Sequence, residues 1–169
     1  LMGMCYYETI EDEKRDSAPL IKAKKKFKFV VKEYPNTDFA LDAKFKLDLI
    51  EDILASKEMY LGRYYLDRKK WVSAINRFRT VVDDYDKTVY VEEAIHRLVE
   101  VYYLLGLKNE SKKYANLLGY NYKSSEWYEK SYIIFNKNYE IKKLVSSKKK
   151  EKKRNILLNK IKSLLDWDE

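Results

Sequence analysis

The sequence repeats itself at an offset of 51 residues, and this limits the possible folds more than any other feature. Ala23, Phe27, Val30, Val31, Tyr34 and Thr37 recur as Ala74, Phe78, Val81, Val82, Tyr85 and Thr88. Apolar residues at i, i+4, i+7 and i+8 share one face of an α-helix. Self-similarity at a fixed distance marks stacked supersecondary units. Each copy runs into a turn, Tyr34-Pro35-Asn36-Thr37 or Tyr85-Asp86-Lys87-Thr88. The chain holds four glycines and two prolines, too few for a β-sandwich or barrel with a turn every ~8–12 residues.

A preceding helix carries the other half of the pattern. Leu61-Gly62-x-x-Tyr65 followed by Trp71-x-x-Ala74-x-x-x-Phe78 resembles a tetratricopeptide repeat. Small residues at Gly62 and Ala74 let two helices approach, and Tyr65 and Phe78 fill the space beside them. Met2-Gly3-x-x-Tyr6 is a partial earlier copy; Tyr102, Gly106, Ser111 and Ala115 form a weaker later one. The chain is therefore read as all-α, a tetratricopeptide-like helix-pair solenoid.

Two spacings break the regularity. Tyr6 to Ala23 is eight residues longer than Tyr65 to Ala74, which places a loop around Glu11-Asp12-Glu13-Lys14-Arg15-Asp16. Thr37 to Gly62 is fourteen residues longer than Thr88 to Val99, with no proline or glycine in the excess. Four extra helical turns absorb it, roughly 21 Å at 1.5 Å per residue. One extended helix is predicted from about Asp38 to Asp67, its face marked by Leu41, Phe45, Leu49, Asp52 and Ile53.

Further on, Val91 to Leu105 reads as a helix with Leu98, Val101, Tyr102 and Leu105 on one face, and Glu110 to Leu118 as its partner. Ser124 or Ser125 can cap a short helix through Trp127, Ser131 and Phe135 that covers the end of the stack. Two domains follow: repeats over 1–136 and a basic tail over 137–169. Residues 1–136 hold 24 Lys/Arg against 22 Asp/Glu, whereas 137–169 hold 11 against 5, so most of the net charge of +8 sits in the tail. Lys148-Lys149-Lys150-Glu151-Lys152-Lys153-Arg154 is a charge run; Ile156, Leu157, Ile161, Leu164 and Leu165 then recur at helical spacing. A basic amphipathic helix of this kind is open to several readings: a solvated appendage, a partner-docking helix, or a contact to anionic lipid or RNA.

Catalytic signatures are not found. His96 is the one histidine and Cys5 the one cysteine, which provides no zinc-binding cluster, and no glycine-rich phosphate loop occurs. His96 reads as a packed or groove residue. Leu1-Met2-Gly3-Met4-Cys5 superficially resembles a lipobox, but Met4 is large where such sites want a small residue, so Cys5 is read as a helix core position. Asp83-Asp84 and Glu92-Glu93 read as a helix end and a helix start. Most of the sixteen tyrosines and three tryptophans are assigned to helix packing, and the rest to a peptide-gripping groove. No run of 18 apolar residues spans a membrane. The chain opens inside an apolar pattern and reads as the C-terminal part of a longer protein.

A family resemblance adds to this reading. Phe29-Val30-Val31-Lys32-Glu33-Tyr34-Pro35-Asn36-Thr37, the long helix after it, Glu58-x-x-Leu61-Gly62-Arg63-Tyr64-Tyr65 and Trp71-Val72-x-Ala74-Ile75-Asn76-Arg77-Phe78 occur in that order. Glu93-Ala94-x-x-Arg97-Leu98-Val99-Glu100 and Tyr120-Asn121-Tyr122-x-x-Ser125-Glu126-Trp127 follow. From Leu1 to Phe135 the chain resembles the C-terminal half of the BamD family, tetratricopeptide lipoproteins of outer-membrane β-barrel assembly. Asp86 and Lys123 stand where the family usually has proline, and the tail is not a family feature. The resemblance implies a non-catalytic scaffold without a cofactor, at the periplasmic face of the bacterial outer membrane. It is held there by a lipid anchor that is not in this chain. Its implied partners are the BamA-type barrel subunit, other assembly subunits and unfolded outer-membrane proteins, with no nucleic acid expected. Tyr60, Arg63, Trp71, Arg77 and Arg97 are the contact candidates, because arginines and large aromatics anchor interfaces. The competing reading for Trp71 and the arginines is that they brace the repeats. The alternative function is a generic tetratricopeptide adaptor whose basic tail docks on an acidic partner or nucleic acid.

Overall fold

The structure is a computed structural model that describes residues 3–5, 17–136 and 154. Contacts divide the chain into two compact units, Leu1–Tyr128 and Glu129–Glu169. All regular structure among the described residues is helical: α1 Ala18–Glu33, α2 Asp38–Asp67, α3 Trp71–Asp84, α4 Val91–Leu104, α5 Lys108–Asn121 and α6 Glu126–Phe135. The inserted loop at 11–16, Tyr6 and the tail helix through Ile156–Leu165 lie outside the described residues.

The turn predicted twice is built from the same hydrogen bonds both times. The Tyr34 amide closes α1 on the Val30 carbonyl at 3.0 Å, and the Tyr85 amide closes α3 on Val81 at 3.1 Å. Thr37 Oγ1 donates to the Tyr34 carbonyl at 2.8 Å, as Thr88 Oγ1 does to Tyr85. Thr37 Oγ1 also accepts the Ala40 amide at 3.2 Å, so it caps α2 and satisfies a donor the first helical turn leaves open. A third copy sits at Tyr122-Lys123-Ser124-Ser125. The Tyr122 amide reaches Leu118 at 2.8 Å, and Ser125 Oγ accepts from the Tyr128 amide at 3.1 Å, capping α6.

The extended helix is present with the predicted bounds, 30 residues long, or about 45 Å. Its predicted face is corrected in part. Ala40, Ala43, Ile50 and Leu54 are buried, with Leu47 and Ile53 packed beside them, while Leu41, Phe45 and Leu49 are exposed. The alanines give α1 a close approach, so the packing side of this half is its small-residue side. Cys5 is likewise exposed, not in the core.

Among the described residues, three cores run along the first unit. Leu20, Ala23 and Phe27 of α1 meet Ala43, Ile50 and Leu54 of α2. Ala55 and Met59 of α2, Ala74, Phe78 and Val81 of α3, and Ala94, Leu98 and Val101 of α4 make the second. Val91, Ile95 and Leu118 make the third, with Trp127 and Tyr128 packed over it. Close helix approach recurs where expected. A Cβ on Gly62 would stand 2.4 Å from the Phe78 ring, and one on Gly3 would stand 3.1 Å from the equivalent Phe27.

The α2–α3 and α4–α5 links are one motif used twice, 37 residues apart. The Lys70 amide donates to Tyr65 O and the Leu107 amide to Tyr102 O, both at 2.9 Å. The residues between, Lys69 at φ 57° and Gly106 at φ 77°, are left-handed, as this helix-ending motif requires.

Candidate partner-binding surface

The side chains with most capacity for recognition lie on helices from successive repeats. Arg63 on α2 reaches across to Glu93 in the first turn of α4. Its Nε donates to Oε1 at 3.0 Å and its Nη2 to Oε2 at 2.5 Å, a two-pronged pair. Arg97, one turn along α4, donates from Nε to the same Glu93 Oε1 at 3.3 Å and from Nη1 to Glu100 Oε2 at 2.7 Å. His96 Nε2 lies 3.6 Å from Glu100 Oε1. The Trp127 ring closes the row, 5.3 Å from the His96 ring and 5.8 Å from the Arg97 guanidinium. The chain of contacts therefore runs Arg63, Glu93, Arg97, Glu100, His96.

Burial pushes the Glu93 carboxyl up, but hydrogen bonds and charge from Arg63 and then Arg97 outweigh it and hold it below the ordinary carboxylate value. Glu100 behaves alike: burial raises it, and His96 and Arg97 bring it down further than that. Both acids are thus ionised acceptors that aim the arginines. Glu93 is largely covered, whereas Arg63 keeps 43% of its side chain in solvent, enough to meet a partner.

The candidate residues do not form one patch. Arg63 and Arg97 converge on Glu93. Arg77 instead pairs with Glu58 of α2 at 3.0 Å and lines a shallow polar cleft of about 190 Å³ with Tyr65, Ser73, Asn76 and Thr80. Tyr60 stands exposed on α2. Trp71 packs against the second core at the start of α3, the bracing position. Residues the sequence reading did not place in the site are Glu93, Glu100, His96 and Trp127. Spacing held a signal for the first two, since Glu93–Arg97 and Arg97–Glu100 are helix neighbours at i+4 and i+3. His96 is buried, which agrees with its reading as a packed residue. Among the described residues no group of three or more acids, histidines or cysteines could hold a metal. No described helix is long and apolar enough to cross a membrane.

Stacked helix pairs, glycine-mediated close approach and a polar ladder over consecutive repeats define a tetratricopeptide-type repeat protein. Residues 1–118 match the family model of YfiO, described as an outer membrane lipoprotein. The chain is 45% identical over 140 residues to the outer membrane protein assembly factor BamD of Rickettsia prowazekii, covering 83% of this chain and 55% of that protein. It is 41% identical over 138 residues to the BamD of Caulobacter vibrioides, covering 82% and 45%. The chain belongs to this YfiO/BamD family, and it spans about half the length of these curated relatives.

Proposed function

We propose that this chain is the partner-contacting half of a non-catalytic scaffold subunit in outer-membrane β-barrel protein assembly. It works at the periplasmic face of the membrane, held there through a lipid anchor of the kind the family description names. Its partners are the BamA-type barrel subunit, its companion subunits and unfolded barrel proteins. Repeats 1–136 carry the binding, and 137–169 form a separate basic segment. The observation that carries this reading is the Arg63–Glu93–Arg97–Glu100 ladder, in a chain whose relatives are named assembly factors. Paired arginines held by partly buried carboxylates are oriented before a partner arrives, which lowers the ordering cost of binding. Arg63 and Arg97 are the primary contacts, Tyr60 and Arg77 are secondary ones outside that pair, and Trp71 holds the repeat that presents them. The test is binding of the chain, with its N-terminal region restored, to the isolated periplasmic domains of the BamA-type subunit. No measurable association would remove the proposal.

The basic tail favours a second reading, an adaptor that docks on an acidic partner or nucleic acid. Tail-driven binding would fall steeply with salt, and binding by the repeats would survive tail deletion.

A further inference from the structure

The extension of α2 leaves an apolar stripe exposed along its N-terminal half. In its C-terminal half, Met59 and Gly62 take α3, with Phe78 packed on Gly62. A helix returns to the same face every seven residues, nearly two turns. Stepping back from Met59 along that face leads through Asp52 to Phe45. α3 has only 14 residues, and Tyr85 at its end packs against the first core, to which Ile50 and Leu54 near the middle of α2 belong. Beyond that point the face continues with Leu49, Phe45 and Leu41, which are 48%, 67% and 55% exposed. The opposite side of the same half is filled by α1. An apolar stripe with i, i+4 spacing, in line with a helix-binding face, has the form of a helix-in-groove site.

Charge restricts the occupant. Residues 38–53 carry five acids (Asp38, Asp42, Asp48, Glu51 and Asp52) and two lysines (Lys44 and Lys46) in a chain whose net charge is +8. Lys46 pairs with Asp42, and Glu51 pairs with Lys24 on the α1 side. Asp48 and Asp52 border the apolar stripe. We infer that this face of α2 docks an amphipathic helix of a partner protein, one with leucine-like residues at i, i+4 spacing flanked by Lys or Arg. The stripe from Leu41 to Leu49 runs a little over two turns, about 12 Å. It is separate from the Arg63–Arg97 ladder, so its failure leaves the assembly proposal standing.

The experiment uses the full chain and a fluorescein-labelled synthetic 18-residue helix with leucines at i, i+4 spacing and lysines between. A twin peptide carries glutamates in place of the lysines. Saturable anisotropy is expected for the lysine peptide. Affinity should fall at least tenfold in the Phe45→Ser/Leu49→Ser variant and several-fold in Asp48→Lys/Asp52→Lys, with helical circular dichroism unchanged in both. Equal binding of the twin peptides, or equal binding by wild type and the Phe45→Ser/Leu49→Ser variant, overturns the inference. So does a wild-type chain that sediments as a dimer while that variant is a monomer, which assigns the face to a second copy. A photoreactive benzoylphenylalanine at position 45 that captures another part of the same chain also overturns it.

Discussion

The Phe78 ring occupies the space that a side chain on Gly62 would need: a Cβ there would lie 2.4 Å from Cε1. Phe78 is fully buried between α2, α3 and α4, so it has nowhere to retreat. Alanine would favour the helix by about 1 kcal/mol, but overpacking a filled core costs about 1–3 kcal/mol or more. Gly62→Ala is expected to destabilise the chain by up to about 2 kcal/mol net, read as a lower urea midpoint. Adding Phe78→Leu should restore part of that loss, because the two changes share one space. Strict additivity would contradict the packing account.

Glu93 links two helices through Arg63 and Arg97, and its carboxyl is held below the ordinary value of 4.5. The stability it contributes is complete above the unfolded-state value and is lost as pH falls through the folded one. Glu93→Gln should cost about 1–2 kcal/mol near neutrality. That figure is kept modest because Arg63 is 43% exposed and solvent screens its share. The difference from wild type should shrink in denaturation curves taken below pH 4.5. A gap that stays constant from pH 7 to pH 3 would show that Glu93 acts by packing only.

Lys69 and Gly106 hold the same left-handed position in the α2–α3 and α4–α5 links. A Cβ there costs roughly 1–2 kcal/mol relative to glycine, partly offset by the greater freedom of unfolded glycine. Lys69→Gly should therefore stabilise the chain by about 0.5–1 kcal/mol. Gly106→Ala, where space is open but φ is 77°, should destabilise it by a similar amount. Thermal unfolding of both variants checks the pair, and shifts of the same sign would contradict the argument.

The architecture was legible because spacing, not composition, carries it. The excess between Thr37 and Gly62 could only be helix, and Asp38–Asp67 is the result. Thr37 and Thr88 marked their turns because a hydroxyl there returns to the tyrosine carbonyl. The faces of α2 were harder to read. Large apolar residues drew attention to Leu41, Phe45 and Leu49, whereas helices approach over the small Ala40 and Ala43. The third turn at Tyr122 was marked in the sequence only by Ser124 and Ser125 as caps, and the left-handed link at Lys69 carries no glycine to mark it. The five contact candidates were chosen one residue at a time, so the division of four of them between Glu93, Glu58 and the second core, with Tyr60 exposed on α2, followed only from three-dimensional pairing.

If the ladder is a recognition surface, its arginines should matter more to a partner than to the fold. Arg63→Ala and Arg97→Ala should each weaken partner binding by about 1–2 kcal/mol, roughly 5- to 30-fold in Kd. The exposed Arg79, paired only loosely with Asp83 at 3.8 Å, supplies the control, and Arg79→Ala should change binding less than twofold.

The most direct measurement is titration calorimetry of the N-terminally completed chain against the periplasmic domains of the BamA-type subunit, for wild type and Arg63→Ala/Arg97→Ala. A saturable complex is expected with wild type. A loss of at least tenfold is expected in the double variant while circular dichroism and the urea midpoint confirm a folded chain. Undiminished affinity in the folded double variant, or no complex with wild type, would contradict a recognition role for the ladder.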